Sequence, residues 1–162
     1  YEKNQRRQLE RSTSSHNTIT IGDYDQTQVW GGFRVGERAR IISLIESDNK
    51  FSSSHDGYKK IGIIHNRKFI TNTDSILIYD ELNKYEISQN IAHFHFHPLV
   101  NNIILKKTSV FFKSLNIEIL FKGKNIALKK ELYKYACGFN KTENAIKLKV
   151  IFESDLETKI KL

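Results

Sequence analysis

The sequence predicts an all-β fold, an antiparallel β-sandwich of about a dozen short strands in one domain. Three observations carry this. Apolar and β-branched residues recur with a period of two in segment after segment. Gly, Asn, Asp and Ser clusters punctuate the chain at short intervals. No stretch shows the long apolar stripe of an amphipathic helix.

Taken in order, residues Tyr1 to Ser15 are polar and charged and read as an extended lead-in. Asn17 to Gly22 (NTITIG) alternates β-branched residues and reads as a strand with Ile19 and Ile21 on one side, closed by a Gly22-Asp23 turn. Gln28 to Phe33 makes a Gly-interrupted second strand, and Arg38 to Glu46 (RARIISLIE) a longer one that ends in Ser-Asp-Asn. Lys50 to Tyr58 alternates weakly and ends at Asp56-Gly57, a tight-turn dipeptide. Ile61 to Thr71 and Ser75 to Asp80 (SILIYD) are strands joined by Thr71-Asn72-Thr73-Asp74. After a polar loop at Asn83 to Gln89, strands follow at Ile91 to Pro98, Asn102 to Lys106, Ser109 to Lys113 and Asn116 to Phe121. The last are Ile126 to Leu128, Ala145 to Glu153 and Lys159 to Leu162. Glu131 to Tyr135 suits either a helical turn or a strand.

The bulk composition narrows the partners. At 162 residues the chain is long enough to bury a core, and ten Phe with seven Tyr supply large pieces for it. A net charge of +8 attracts polyanions, namely nucleic acid, anionic lipid or acidic polysaccharide. The lysines of the second half (Lys122, Lys124, Lys129, Lys130, Lys147, Lys149) fall near alternate strand positions, which also fits plain solvated strand faces. No RNP-type motif, zinc-finger spacing or basic helix is present, so nucleic acid is an unlikely partner. No apolar run approaches the roughly 18 residues of a membrane span. Methionine is absent and the chain starts at Tyr1, which reads as a piece excised from a longer polypeptide. The single cysteine, Cys137, rules out an internal disulfide framework and reads as a buried, inert thiol.

Four groups of residues are candidates for chemistry. His16, at the start of the first strand, suits a metal ligand or a structural hydrogen-bonding residue. His55 and Tyr58 flank Asp56-Gly57; a His and a Tyr are the residue types that abstract a proton alpha to a carboxylate, so these two are the candidate acid-base pair. His65 and Arg67 share one strand face, where arginine offers a bidentate fork to a carboxylate or sulfate. His93, His95 and His97 alternate with Phe94 and Phe96; about 6.6 Å apart along a flat strand, three of them do not readily close a tetrahedron around a metal. Trp30, Phe33 and Arg34 could stack on a sugar ring, although a Gly-flanked Trp also suits a core.

Several of these segments occur in an order that resembles the C-terminal part of heparinase II/III-like polysaccharide lyases. The matching residues are Arg11-Ser12-Thr13 followed by His16-Asn17-Thr18, then Asp25-Gln26, then Trp30-Gly31-Gly32-Phe33-Arg34, then His55-Asp56-Gly57-Tyr58, and a His-rich strand ending in Pro98. The resemblance covers the first hundred residues, and the rest is compatible with it. It implies a parent protein acting on uronic-acid-containing glycans by β-elimination, with an acidic polysaccharide and its own N-terminal helical toroid as partners. It also implies a periplasmic or secreted bacterial protein.

In zinc-containing members the histidine of the HNT motif ligates a structural zinc with residues from an upstream H-x-H-x-D-type stretch and an aspartate before a Gly-x-Tyr-like segment. Tyr1 corresponds to the end of that segment. His16 is then a single ligand of an incomplete site, and no zinc is expected at it here, although the full-length parent could hold one. The resemblance places the catalytic Tyr, Asn and His upstream of Tyr1. His55, Tyr58, Arg34, His65 and Arg67 are left as candidate substrate-binding residues, and the chain alone is expected to be inactive. The other reading is a non-catalytic carbohydrate-binding or structural β-sandwich module.

Overall fold

The structure, a computed structural model, describes residues 5–85 and 89–162. The proposed correspondence at Tyr1 and residues 86–88 of the polar loop lie outside the described residues. The described residues form one short α-helix, α1 (Gln5–Arg11), two 3-10 turns and twelve strands. These are β1 (Ile19–Ile21), β2 (Gln28–Trp30), β3 (Arg34–Gly36), β4 (Ile41–Ser47), β5 (Lys50–Tyr58), β6 (Ile63–Thr71) and β7 (Ser75–Leu82), then β8 (Asn90–His95), β9 (Ile103–Leu105), β10 (Ser109–Phe112), β11 (Ile117–Gly138) and β12 (Lys141–Lys161). All pairings are antiparallel, as the alternation predicts.

Two strands are not short. β11 and β12 run for 22 and 21 residues and absorb five separately predicted segments, including Glu131 to Tyr135, which is strand. Register shifts around Gly123, Lys124 and Ala127 bend this hairpin. Gly123 makes the bend possible, because a Cβ there would lie 2.7 Å from the Asp155 carbonyl oxygen. Beyond the bend β12 changes partners: Leu156–Lys161 pairs with β7, whereas Lys147–Phe152 pairs with β8. The sheet therefore has two limbs, β4-β5-β6-β7-β12-β11-β10-β9 and β1-β8-β12-β11, that share the long hairpin.

Both limbs feed one core. Ile19, Ile21, Ala92, Leu148, Val150 and Phe152 from one limb pack with Tyr58, Ile63, Leu82, Val110, Phe112 and Leu156 from the other. On β12 the alternation is strict between Ile146 and Val150. Leu148 and Val150 face this core, and Lys147 and Lys149 face the other way.

Four local expectations are corrected. The lead-in is helical over Gln5–Arg11 although none of its residues is buried. Its side chains supply the reason: Arg7 and Gln8 donate to the carbonyls of Gly32 and Gly31, and Arg11 donates to those of Gly31 and Arg34. Carbonyls of the Gly31–Arg34 turn thus stand in for an apolar face. The Asp56-Gly57 pair is not a turn but a bulge inside β5, where the register with β6 slips between His55 and Tyr58. Trp30 lies on the β2–β3 hairpin outside the core and is 43% exposed. Cys137 is exposed because it sits at the projecting end of the long hairpin.

Candidate functional site

A chain of polar side chains crosses β5, β6 and β7. The Asp56-Gly57 bulge turns the Gly57 N–H onto His55 Nδ1, 3.1 Å away. Glycine is needed there, since a Cβ would approach His55 Nδ1 to 2.9 Å and the Gln26 carbonyl to 3.0 Å. With Nδ1 accepting, the proton of neutral His55 sits on Nε2 and is donated to His65 Nδ1 over 3.0 Å. His65 Nε2–H then donates to Asp80 Oδ1 at 2.7 Å. Arg67 closes the far side with Nε on Oδ1 at 2.7 Å and Nη2 on Oδ2 at 3.1 Å, the bidentate fork predicted for it. Its remaining Nη1 donates to the Asn17 carbonyl at 2.6 Å.

Register explains the meeting. Arg67 and Asp80 are directly opposite across β6 and β7, and His65 is two residues along on the same face. Asp80 is buried, and burial alone would raise its pKa. The Arg67 guanidinium and the His65 N–H outweigh that and hold the carboxyl below its ordinary range. Burial, then His65 and Arg67, push His55 down to about 4, so it is neutral at physiological pH.

Tyr58 belongs to the core side of the same bulge. It is 1% exposed, and its hydroxyl donates to the Ile19 carbonyl, tying β5 to β1 across the two limbs. Burial raises its pKa. Tyr58→Phe is expected to cost about 1 kcal/mol of stability by removing that hydrogen bond and leaving the carbonyl to the longer one from Gln26 Nε2 at 3.3 Å, read as a lower urea midpoint.

A second site lies on the opposite face of the β8-β12-β11 limb. A cavity of about 800 Å³ is bounded by the lead-in (Leu9, Ser14), the turn after β1 (Asp23, Tyr24) and the strand face carrying His93, His95, Tyr133 and Lys147. His93 Nε2 meets Thr20 Oγ1 at 3.0 Å, while its buried Nδ1 has no partner among the described residues. His95 is fixed by Asn17, whose Oδ1 accepts from the His95 backbone N–H at 2.8 Å and from Nδ1–H at 3.1 Å. The Tyr133 ring stands edge-on to His95 at 4.9 Å, and Tyr135 repeats the arrangement on His97 at 5.0 Å. Lys147 is 9% exposed and donates to the Ser14 carbonyl at 2.8 Å, so it is not the solvated lysine that alternation suggests. Lys149, by contrast, pairs with Glu131 at 2.8 Å. Burial, then Lys147, drive His93 to about 3 and His95 to about 4. The face thus carries neutral imidazoles and a phenol among charges of both signs, with Glu10, Asp23, Asp25 and Glu131 lining the cavity beside Arg6, Lys134, Lys147 and Lys149.

The remaining candidates fall at separate places. His16 follows the 3-10 turn Thr13–Ser15, is exposed, and donates its backbone N–H to the Thr13 carbonyl. Among the described residues no three His, Cys, Asp or Glu side chains converge as a metal site. The described residues around His16 therefore do not complete a zinc ligand set by themselves. Arg34 is exposed on the β2–β3 hairpin beside Trp30 and Phe33. Sequence reasoning missed Asp80 and the role of Asn17. A carboxylate was implicit in Arg67's fork, but its position depends on the β6–β7 register.

The family profile described as heparinase II/III-like, C-terminal, matches residues 1–161. The chain belongs to this family. As a heparinase II/III-like chain it is similar in fold to a heparan sulfate lyase from Pedobacter heparinus, with TM-score 0.75 at 15% identity, covering 99% of this chain and 26% of that one. A heparinase III gives TM-score 0.73, also at 15% identity, covering 96% and 25%. The chain therefore spans about a quarter of the length of these solved structures. No curated protein matches it. Within the heparinase II/III-like pattern, the HNT segment is joined in space to the His-rich strand and to Arg67, because Asn17 touches both Arg67 and His95.

Proposed function

We propose that this chain is the C-terminal β-sandwich region of a longer polysaccharide lyase that cleaves uronic-acid-containing glycans by β-elimination. In that reaction the uronate carboxylate is neutralised, a Tyr or His base removes the C5 proton, and a protonated Tyr delivers a proton to the departing glycosidic oxygen. The family match over residues 1–161 carries this reading. The chain's own part is to wall the cleft and present exposed cations such as Arg34 to an acidic glycan. Catalysis by groups that precede Tyr1, on a helical toroid, is supported by the commitments of the local candidates. The Tyr58 hydroxyl is engaged inside the core, and both ring nitrogens of His55 are used in the chain to Asp80.

The test follows the ultraviolet absorbance of the unsaturated uronate product. This chain and a polypeptide extended upstream would be run side by side on heparin, heparan sulfate, hyaluronan and alginate. The extended protein is expected to be active and this chain alone inert. Activity in the chain alone would overturn the assignment and place the acid-base groups within this chain.

A second reading, a non-catalytic carbohydrate-binding module, is favoured by one observation. The β2–β3 hairpin presents Trp30, Phe33 and Arg34 together at the surface, with Phe33 72% exposed. Absence of product from both proteins, with glycan binding lost in Trp30→Ala, would select it.

A further inference from the structure

β4 is the edge of the ten-stranded sheet and is exposed along all seven residues. Ile41, Ile42, Leu44 and Ile45 are between 56% and 70% exposed, an apolar edge rather than the charged one that keeps sheets apart. Natural edges are commonly blunted by lysine or proline. β4 contains neither, although a bulge between Ile41 and Ser43 twists its first part. Two cations, Arg38 and Arg40, precede these residues, and two anions, Glu46 and Asp48, close the segment. All four are exposed, and none is ion-paired with another described residue.

This order is self-complementary. An antiparallel pair of β4 strands related by a two-fold axis at Ser43 sets Arg40, the residue before the strand, opposite Glu46, and brings Arg38 toward Asp48 in the turn that follows. It also sets Ile41 opposite Ile45 and Ile42 opposite Leu44. Every pair occurs twice because the contact is isologous. Moving the axis to Ile45 instead sets Arg40 against Lys50 and Leu44 against Glu46, so charge selects the first register.

We propose that β4 is a self-association strand, through which two copies of this chain join their sheets edge to edge about Ser43. One short strand per copy makes a small interface, so the dimer is expected to dissociate at roughly micromolar concentrations.

Sedimentation velocity on the chain over a concentration series tests this, with circular dichroism confirming that each variant is folded. The wild-type chain is expected to dimerise. Arg40→Glu and Glu46→Arg alone are each expected to weaken the dimer by roughly tenfold, since each creates two like-charge pairs. The double variant R40E/E46R restores complementarity and is expected to recover most of the affinity. In a Cys137→Ser background, Ser43→Cys is expected to form a disulfide-linked dimer under mild oxidation, and Ser47→Cys is not. A chain that stays monomeric up to its solubility limit overturns the proposal and gives the edge to another occupant, such as a preceding segment of a longer polypeptide. So does a dimer indifferent to the charge reversals, or one whose double variant is no tighter than the single ones.

Discussion

Asp80→Ala is expected to lower the free energy of unfolding by about 3–5 kcal/mol, the largest effect of any single polar substitution in this chain. The carboxylate is 1% exposed and is the only anion hydrogen-bonded to Arg67 and His65 among the described residues. Removing it leaves a guanidinium with one carbonyl partner and a buried imidazole N–H with none. Asp80→Asn tests the charge separately from the shape. It keeps the volume but cannot accept at both oxygens, and should fall between wild type and alanine. Urea unfolding at neutral pH measures all three. Equal stability of Asp80→Ala and wild type would mean that solvent, not Asp80, satisfies Arg67.

Acidification gives the second large effect. In the folded state His55 and His95 have pKa values near 4 and His93 near 3, each lowered from 6.5, with burial as the leading cause. A lowered pKa means the folded state binds fewer protons than the unfolded chain. The stability these groups contribute is complete above pH 6.5 and declines as the pH falls toward 4. His93 is the best placed to dominate, being 3% exposed with Lys147 and Lys149 on the facing strand and His95 beside it. Its share of the loss between pH 6.5 and 4 is ~3 kcal/mol. Asp80 acts in a different window. Its stability contribution is intact above the unfolded value of 3.8 and fades only below it. Urea midpoints at a series of pH values should show the imidazole decline first. His93→Gln should flatten that decline while leaving the steeper fall below pH 3.8 in place. An unchanged slope in His93→Gln would show that water reaches the imidazole.

The alternation of apolar residues made most of the fold legible. NTITIG, SILIYD and the run from Ala145 onward are strands because a period of two has one physical meaning. What was hidden depends on partners distant in sequence. Helix α1 shows no apolar stripe because its counterpart is a row of carbonyls some twenty residues away. Asp56-Gly57 has turn chemistry, yet the Asp56 carboxylate and N–H both bind the backbone of Arg40, which keeps the pair inside a strand as a bulge. The candidate site divides in the same way. The shared face of His65 and Arg67 followed from spacing alone. That Asp80 sits between them, and that Asn17 reaches both His95 and Arg67, required the register of β6 on β7 and of β8 beside β1.

The shared β11–β12 hairpin also bears on biosynthesis. The residues that stitch the two limbs together, Lys147 to Phe152 and Leu156 to Lys161, leave the ribosome after β7 and β8. Until they emerge, β7 can pair only with β6 and β8 only with β1, and Tyr58, Ile19 and Ala92 have no completed core to enter. Nascent chains therefore wait with two open sheet edges, a state prone to mispairing. Yield in the cell should respond to the pace of translation and to holding chaperones more than the stability of the finished protein would suggest.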